Sequence, residues 1–339
     1  MNRFSYARPG SVADAVREVG SSPAARVIAG GTNLVDLMKY NVERPSHLVD
    51  VTRLPGLKAV EETEKGGLRI GALVTNTAVA YDPLVQERYP LLSSTILAGA
   101  TAQLRNAATT GGNLLQRTRC YYFYDDATPC NKRVPGSGCP AINGVNRIHA
   151  ILGTSGQCIA THPSDMAVAM AALEAVIRVS GPNGERDIPI AEIHRLPGDT
   201  PERDTNLGAD EIIVSVELPA PRFGNNYTYL KLRDRLSYAF ALVSVAAALE
   251  MDGNTVKEAR IALGGVAHKP WRVPEAEALL AGKVPGPDAF GLVADRILQG
   301  AQGFGGNDFK IELAHRAVVR ALSQAAAGTP QSQTDKRIQ

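Results

Sequence analysis

All cysteines of this chain lie in one short segment. Among the 339 residues, the cysteines are Cys120, Cys130, Cys139 and Cys158. The insert 115–158 that carries them is rich in Gly, Pro, Asn and basic residues and follows neither a helical nor a strand period. A loop of this length inside a compact protein is usually functional or disordered. Since a ligand bound by the cysteines would order the loop, we expect the insert to be functional.

The four thiols are compatible with several kinds of site. Four thiolates suit a tetrahedral zinc ion or an iron–sulfur cluster, whereas four thiols can also form disulfides or stay free. Nine, eight and eighteen residues separate them, and no Cys-x-x-Cys pair is present, which disfavours a zinc ribbon or a thioredoxin-like motif. Wide spacing in a glycine-rich loop favours a bulky inorganic core, while zinc and disulfides stay open as alternatives.

The other residues of the insert also suit a cluster. A [4Fe–4S] cluster with four thiolates is a net anion, which nearby cations stabilise and apolar side chains shield from water. The basic residues of the insert are Arg117, Arg119, Lys132, Arg133 and Arg147, and its aromatic run is Tyr121, Tyr122, Phe123 and Tyr124. The alternative is that the aromatic residues belong to an ordinary core and the cations to a solvated surface.

Two segments repeat the same pattern of glycines among hydroxyl and amide side chains. They are Ala29–Leu34 and Thr109–Leu114, and each contains a Gly-Gly pair. Glycines let a backbone approach a phosphate closely, and successive N–H groups form a nest for an anion. Two such nests predict a pyrophosphate site, although either turn alone is more often an ordinary turn. The pattern is not G-x-G-x-x-G, so it does not predict a Rossmann site.

Composition excludes several classes of protein. A net charge of +2 predicts no nucleic-acid surface, and no apolar run is long enough to span a membrane. The N-terminus reads as a strand and lacks the apolar core of a signal peptide. We therefore expect a cytoplasmic location, or a periplasmic one if the chain is exported bound to a partner that carries a signal.

Periodicity predicts an α/β beginning and a separate C-terminal domain. Ser11 is expected to cap a helix through Val19, and Ser164 a helix through Glu174. From Tyr227 onward the pattern is rich in strands and then in helices, which is typical of an α+β domain. The tail 328–339 is polar and is expected to be flexible.

The order and spacing of several motifs resemble those of a known family, the FAD-binding subunits of the xanthine dehydrogenase family of molybdenum hydroxylases. These motifs are Val27–Leu34, Gln103–Asn106, Ala108–Leu114 and Pro163–Asp165, and the resemblance runs over nearly the whole chain. The segments Leu115–Cys120, Pro129–Arg133 and Gly136–Cys139 are similar to the branch that carries a [4Fe–4S] cluster. That branch includes the flavin subunit of heterotrimeric bacterial aldehyde oxidoreductases and, more distantly, of 4-hydroxybenzoyl-CoA reductase.

The resemblance implies a fold and a division into domains. The fold class would be α+β, with a two-subdomain FAD-binding fold of the vanillyl-alcohol-oxidase (PCMH) type followed by an α+β domain like that of the CO dehydrogenase flavoprotein. The FAD-binding domain would cover 1–222, with subdomains of about 1–55 and 56–222, and the C-terminal domain 223–327.

The resemblance also implies site residues. Pyrophosphate would be held by Val27, Ile28, Ala29, Gly30, Gly31, Thr32, Asn33 and Leu34, together with Thr110, Gly111, Gly112 and Asn113. Asp165, next to Ser164, would bind the ribose–adenine half, and Lys231 would lie near the flavin ring. For Asp165 and Lys231 a structural role without any ligand is the alternative. A carboxylate is favourable at a helix start, and a lysine in a strand is often at the surface. The four cysteines would bind the [4Fe–4S] cluster, and no catalytic residue is expected on this chain.

The function implied is electron transfer within a larger enzyme. A molybdopterin-binding catalytic subunit would oxidise an aldehyde, and a [2Fe–2S] subunit would pass electrons to FAD on this chain and onward to an external acceptor. Two other functions stay open. One is a stand-alone flavin oxidoreductase with a zinc-stapled loop, and the other is a non-enzymatic scaffold that uses the insert to bind partners.

Overall fold

Three β-sheets form the frame of the molecule. The computed structural model describes residues 1–333, so the end of the predicted flexible tail, 334–339, lies outside the described residues. The first part of that tail contacts the C-terminal sheet, where the backbone N–H of Gln331 donates to Thr228 Oγ1 at 2.9 Å.

The N-terminal unit is a three-stranded parallel sheet with two helices. Its strands are β1 (Ser5–Ala7), β2 (Ala25–Ile28) and β3 (His47–Asp50), arranged β1-β3-β2, and its helices are α1 (Val12–Gly20) and α2 (Leu34–Lys39). Ser11 caps α1 by accepting from the backbone N–H of Asp14. The predicted face of α1, formed by Ala15, Val16 and Val19, is buried, so this helix is confirmed.

A five-stranded sheet forms the second unit. Its strands are β4 (Val60–Glu62), β5 (Leu68–Gly71), β6 (Val176–Gly181), β7 (Gly184–Pro189) and β8 (Ile212–Leu218), in the order β4-β5-β8-β6-β7. Its helices are α3 (Asn76–Tyr81), α4 (Pro83–Arg88), α5 (Pro90–Ala98), α6 (Ala102–Ala107), α7 (Thr110–Leu114), α8 (Tyr121–Tyr124), α9 (Asp165–Ala172) and α10 (Ile190–Ile193). Ser164 caps α9 as predicted, accepting from the backbone N–H of Ala167 at 2.9 Å.

The C-terminal unit is an antiparallel sheet covered on both faces. Its strands are β9 (Tyr227–Leu232), β10 (Val243–Asp252), β11 (Thr255–Gly264) and β12 (Trp271–Arg272), and its helices are α11 (Pro274–Glu277), α12 (Pro287–Ile297) and α13 (Phe309–Ala326). One face packs against α12 and α13, and the other presents Tyr229, Ala246 and Ala248 to the core of the second unit. Burial on both faces explains why β10 is apolar along most of its length instead of alternating.

The cysteine insert (115–158) has little regular structure, as its lack of a period predicts. It contains only α8 and one 3₁₀ turn, Pro140–Ile142. The C-terminal unit holds its end, because the backbone N–H groups of Ile151 and Leu152 both donate to Val266 O and both side chains enter the C-terminal core. The insert is therefore ordered by contacts made far away along the chain.

Candidate functional site

The two glycine turns meet in space. A Cβ placed on Gly30 would lie 1.9 Å from the carbonyl oxygen of Ala107, just ahead of the second turn. Gly31 has φ +72°, a backbone conformation that favours glycine. The first turn leads into α2, and Thr109 caps α7 by accepting from the N–H of Gly112. The two glycine turns therefore lie side by side, as a shared pyrophosphate site requires, and the pyrophosphate site itself stays a prediction.

A large cavity opens beside the two turns. It has a volume of about 700 Å³ and is lined by the whole first turn and by Thr109, Gly111 and Gly112 of the second. This volume is in the range of small-molecule and cofactor sites. Its wall also carries Glu43 and Asp204, two charged side chains that the sequence did not single out. We call it the main cavity.

A second group of the predicted residues lies at the start of α9. Ser164 Oγ donates to Asn113 Oδ1 at 2.5 Å, which ties the second glycine turn to α9. Asp165 binds Lys231 Nζ at 2.8 Å and the hydroxyl of Tyr229 at 2.6 Å. The side chain of Lys231 is 2 % exposed, so it is a buried ion-pair partner and not a surface lysine.

The ion pair between Asp165 and Lys231 affects the cofactor-binding roles that the resemblance implies for these two residues. The sequence assigns Asp165 to the ribose–adenine half of FAD and Lys231 to the flavin ring. An extended FAD separates these two ends, whereas the two side chains are in contact at 2.8 Å. The two implied roles call for separate positions, whereas the two residues bind each other, and both roles stay predictions. Tyr229, which also binds Asp165, was not predicted.

The four cysteine thiols come together in the insert. All four are free, and Cys120, Cys130 and Cys158 are buried in one cluster with Leu37 and Phe123. Among residues 1–333, no three His, Cys, Asp or Glu side chains are arranged to hold a single metal ion. No disulfide joins the described cysteines, so the disulfide alternative receives no support from their arrangement.

Their surroundings shift the acidity of these thiols in different directions. Burial raises the pKa of Cys120 to about 12, and the nearby thiols of Cys130 and Cys139 act in the same direction. A hydrogen bond from Cys158 lowers the pKa of Cys139 to about 6 and raises that of Cys158 well above its usual range. Backbone N–H groups point at the sulfurs, for example Ala160 N to Cys158 Sγ at 3.4 Å. Such donors stabilise thiolates.

A partly buried carboxylate, Asp204, joins the insert to the main cavity. Asp204 accepts from Arg117 Nε at 2.7 Å and from Lys132 Nζ, and His268 Nε2 lies 3.4 Å away. Burial opposes ionisation, but the hydrogen bond from His268 and the charges of Arg117 and Lys132 hold the pKa of Asp204 well below its usual range. The backbone N–H of Arg117 also donates to Asn33 Oδ1 at 2.9 Å. The first glycine turn and the insert are therefore directly connected.

Helix α13 fastens the other end of the insert. Lys310 is fully buried and donates to the carbonyl oxygens of His149 at 2.7 Å and Gly265 at 2.5 Å. Asn307 Nδ2 donates to the carbonyl of Ala150 at 3.0 Å. Burial lowers the pKa of Lys310 to about 7. No local pattern in the sequence marks Lys310 as a buried residue.

The pKa of Lys310 predicts a dependence of stability on pH. Its pKa falls from 10.5 to about 7 on folding, so between these values the unfolded chain binds more protons. Stability therefore rises with pH across this interval, by up to about 1.4 kcal/mol per pH unit. We expect Lys310→Met to remove the contribution of Lys310, so that stability rises less steeply with pH than in the native protein in urea unfolding measured from pH 7 to 10. Lys257→Met, at an exposed lysine, is the control and should keep it. Equal slopes for all three proteins would contradict the prediction.

No helix within residues 1–333 combines the length and the apolar character needed to cross a bilayer.

Comparisons with known families identify the class of protein that this fold and site define. Residues 2–221 match the family model described as the FAD binding domain in molybdopterin dehydrogenase. Residues 227–325 match the CO dehydrogenase flavoprotein C-terminal domain. The chain is thus a FAD-binding protein with the two-part fold that the resemblance implied, and that expected fold class is confirmed.

Individual relatives extend over nearly the whole chain. The aldehyde oxidoreductase FAD-binding subunit PaoB of Escherichia coli K12 is 52% identical over 328 residues, 96% of this chain and 99% of the relative. The carbon monoxide dehydrogenase medium chain of Hydrogenophaga pseudoflava is 30% identical over 330 residues, 96% of this chain and 98% of the relative. This chain belongs to the FAD-binding subunits of the xanthine dehydrogenase family of molybdenum hydroxylases, a family of oxidoreductases.

Solved structures agree with this assignment. Quinoline 2-oxidoreductase from Pseudomonas putida 86 superposes with a TM-score of 0.74 at 27% identity, covering 97% of this chain and 98% of that chain. Carbon monoxide dehydrogenase from Hydrogenophaga pseudoflava gives 0.75 at 28% identity, covering 96% and 98%.

Proposed function

We propose that this chain is the FAD- and [4Fe–4S]-containing electron-transfer subunit of a molybdenum-dependent aldehyde oxidoreductase. The observation that carries the proposal is the 52% identity, over almost the full length of both chains, to a FAD-binding subunit of an aldehyde oxidoreductase. The partners would be a molybdopterin-binding catalytic subunit and a [2Fe–2S] subunit. Aldehyde oxidation would take place on the first of these partners.

The residues of the main cavity fit the diphosphate centre of FAD. Two backbones meet there so closely that a Cβ on Gly30 would clash with the Ala107 carbonyl, and polar groups line the opening. Bound FAD can exchange electrons singly with iron–sulfur partners and in pairs with a final acceptor. The two glycine turns would hold its pyrophosphate through backbone N–H groups. The buried Asp165–Lys231 pair would supply a fixed polar contact at one end of the cofactor.

The cysteines fit an anionic cluster by their chemistry. Four free thiols from separate parts of one insert come together, backbone N–H groups point at their sulfurs, and Phe123 and Leu37 exclude water. Each thiolate of a four-iron cluster binds its own iron, so the four sulfurs need not converge on one point as zinc ligands do. The backbone N–H of Arg117 donates to Asn33, so the insert contacts the first glycine turn, which would suit electron exchange between the cluster and FAD.

Metal and flavin analysis of Cys130→Ser tests the cluster. We expect this variant to lose iron while it keeps FAD, because Cys130 would be one of the four cluster ligands and the glycine turns lie outside the insert. Val134→Ser, at an exposed position of the same insert, is the matched control and should keep the iron of the native protein. Zinc without iron in the native protein would favour the zinc-stapled alternative. Unchanged iron in Cys130→Ser would remove Cys130 from the ligand set.

Purification together with its native partners tests the rest of the proposal. Iron, molybdenum and FAD, measured on the purified assembly, should all be present, with the molybdenum on another chain. Recovery of the chain with partners but without FAD would contradict the proposal and favour the scaffold alternative.

A further inference from the structure

We propose that His149 is a positioning residue for the cluster, which it serves by donating a hydrogen bond from Nε2 to the Sγ atom of Cys120. This bond would fix one ligand and raise the reduction potential of the cluster. The inference rests on the proposed function, since it requires the [4Fe–4S] group.

The geometry assigns the donor. His149 Nε2 lies 3.0 Å from Cys120 Sγ, and both side chains are buried. The other ring nitrogen, Nδ1, is buried and has no hydrogen-bond partner among the described residues. A thiolate can only accept, so the ring must carry its proton on Nε2 when Cys120 is a ligand. The unpaired Nδ1 is then an acceptor.

The surroundings of His149 hold its ring in this position. Lys310 Nζ donates to the His149 carbonyl at 2.7 Å, and Asn307 Nδ2 donates to the same oxygen at 3.3 Å. The rings of Tyr121 and Tyr122 lie 6.3 and 6.5 Å away, measured between centroids. Helix α13 therefore fixes the backbone of His149 while the two tyrosines flank its ring. Lys310, which has no carboxylate partner among residues 1–333, thus holds the backbone of His149 through a hydrogen bond to its carbonyl.

The contact has a defined consequence for electron transfer. Reduction adds one electron to the cluster and makes it more negative. A hydrogen bond to a ligand sulfur stabilises the more negative form more strongly, so it raises the reduction potential. Outer residues that orient a metal ligand act in the same way in other metal sites. Removal of the donor should therefore lower the potential without changing the number of irons.

Three variants separate this role from a merely structural one. His149→Leu removes the donor, His149→Gln can place an amide N–H near the same point, and His315→Leu changes a histidine outside the insert. Iron content is measured first, and each protein is then titrated with dithionite while its cluster is monitored by electron paramagnetic resonance. We expect a more negative midpoint potential in His149→Leu, partial or full return in His149→Gln, and no shift in His315→Leu.

Each outcome decides between the two proposals. A native protein without iron would overturn the proposed function itself. Full iron with equal potentials in all variants would overturn the role of His149 alone. If His149→Leu fails to retain its cluster, the hydrogen bond is tested instead by electron paramagnetic resonance of the native protein with isotopically labelled histidine nitrogen. A nitrogen coupling in the spectrum of the reduced cluster that is lost in His149→Gln supports the hydrogen bond, and its absence in the native protein overturns it.

Discussion

Gly30→Ala is expected to weaken FAD binding strongly. The added Cβ would lie 1.9 Å from the carbonyl oxygen and 2.6 Å from the carbonyl carbon of Ala107. These are backbone atoms that cannot rotate away. The first glycine turn must therefore move away from Ala107, which lies just before the second turn. Because both turns line the main cavity, this movement widens the proposed pyrophosphate site.

The size of this effect can be estimated from steric cost. Forcing extra atoms into a packed site typically costs about 1–3 kcal/mol, occasionally more. If this cost falls on the FAD-bound state, binding weakens by about 5-fold to more than 100-fold. The measurement is the FAD content of purified protein, followed by titration of the apoprotein with FAD.

Gly10→Ala provides the matched control. A Cβ at Gly10 would meet no atom within 4 Å, so the same substitution should leave FAD binding unchanged. Circular dichroism of both apoproteins separates a loss of cofactor from a loss of fold. Native affinity for FAD in Gly30→Ala would contradict a pyrophosphate site built from the paired turns.

The sequence revealed those parts of the site whose residue types carry their own chemistry. Gly30 and Gly111 stand out because the same pattern of a glycine pair among hydroxyl and amide side chains occurs twice, which predicts an anion site although either turn alone is more often an ordinary turn. The cysteines stand out because all four lie between positions 120 and 158. Helices with a capping serine, such as α1 and α9, could also be predicted from the sequence, since Ser11 and Ser164 mark where they begin.

The parts that sequence reasoning missed depend on contacts between distant positions. Lys132 and Asp204 are 72 residues apart, and Lys310 lies 161 residues from the carbonyl that it binds. Neither distance corresponds to a helical or strand period, so no local pattern can reveal these pairs. The same reason explains Asp165 and Lys231, whose ion pair brings together two residues that the sequence assigned to different ends of FAD.

Asp204→Ala is expected to destabilise the chain and to lower its FAD and iron content together. Asp204 is the counter-ion of Lys132, whose side chain is 2 % exposed, and it also pairs with Arg117. Removing one partner of a buried ion pair leaves an uncompensated charge and typically costs about 3–5 kcal/mol. Arg117 keeps Glu43 as a second partner, so most of this cost falls on Lys132.

Urea unfolding of the purified chain measures the loss, with Asp187→Ala as the control. Asp187 pairs with Arg178 at the surface, and such pairs contribute about 0–1 kcal/mol. The pKa of Asp204 is lowered on folding, so its contribution is present above the ordinary aspartate pKa and is lost as the pH falls below it. The difference in stability between native protein and Asp204→Ala should therefore shrink below about pH 4.

The joint loss of FAD and iron is what distinguishes Asp204 from an ordinary buried ion. Its carboxylate lines the main cavity and binds two cations of the cysteine insert, Arg117 and Lys132. Lys132 lies two positions after Cys130 in the sequence. A change that loosens this carboxylate should therefore disturb both groups at once. Loss of iron with unchanged affinity for FAD would show that the insert and the cavity are held independently, and that the connection from Arg117 to Asn33 suffices to keep the glycine turn in place.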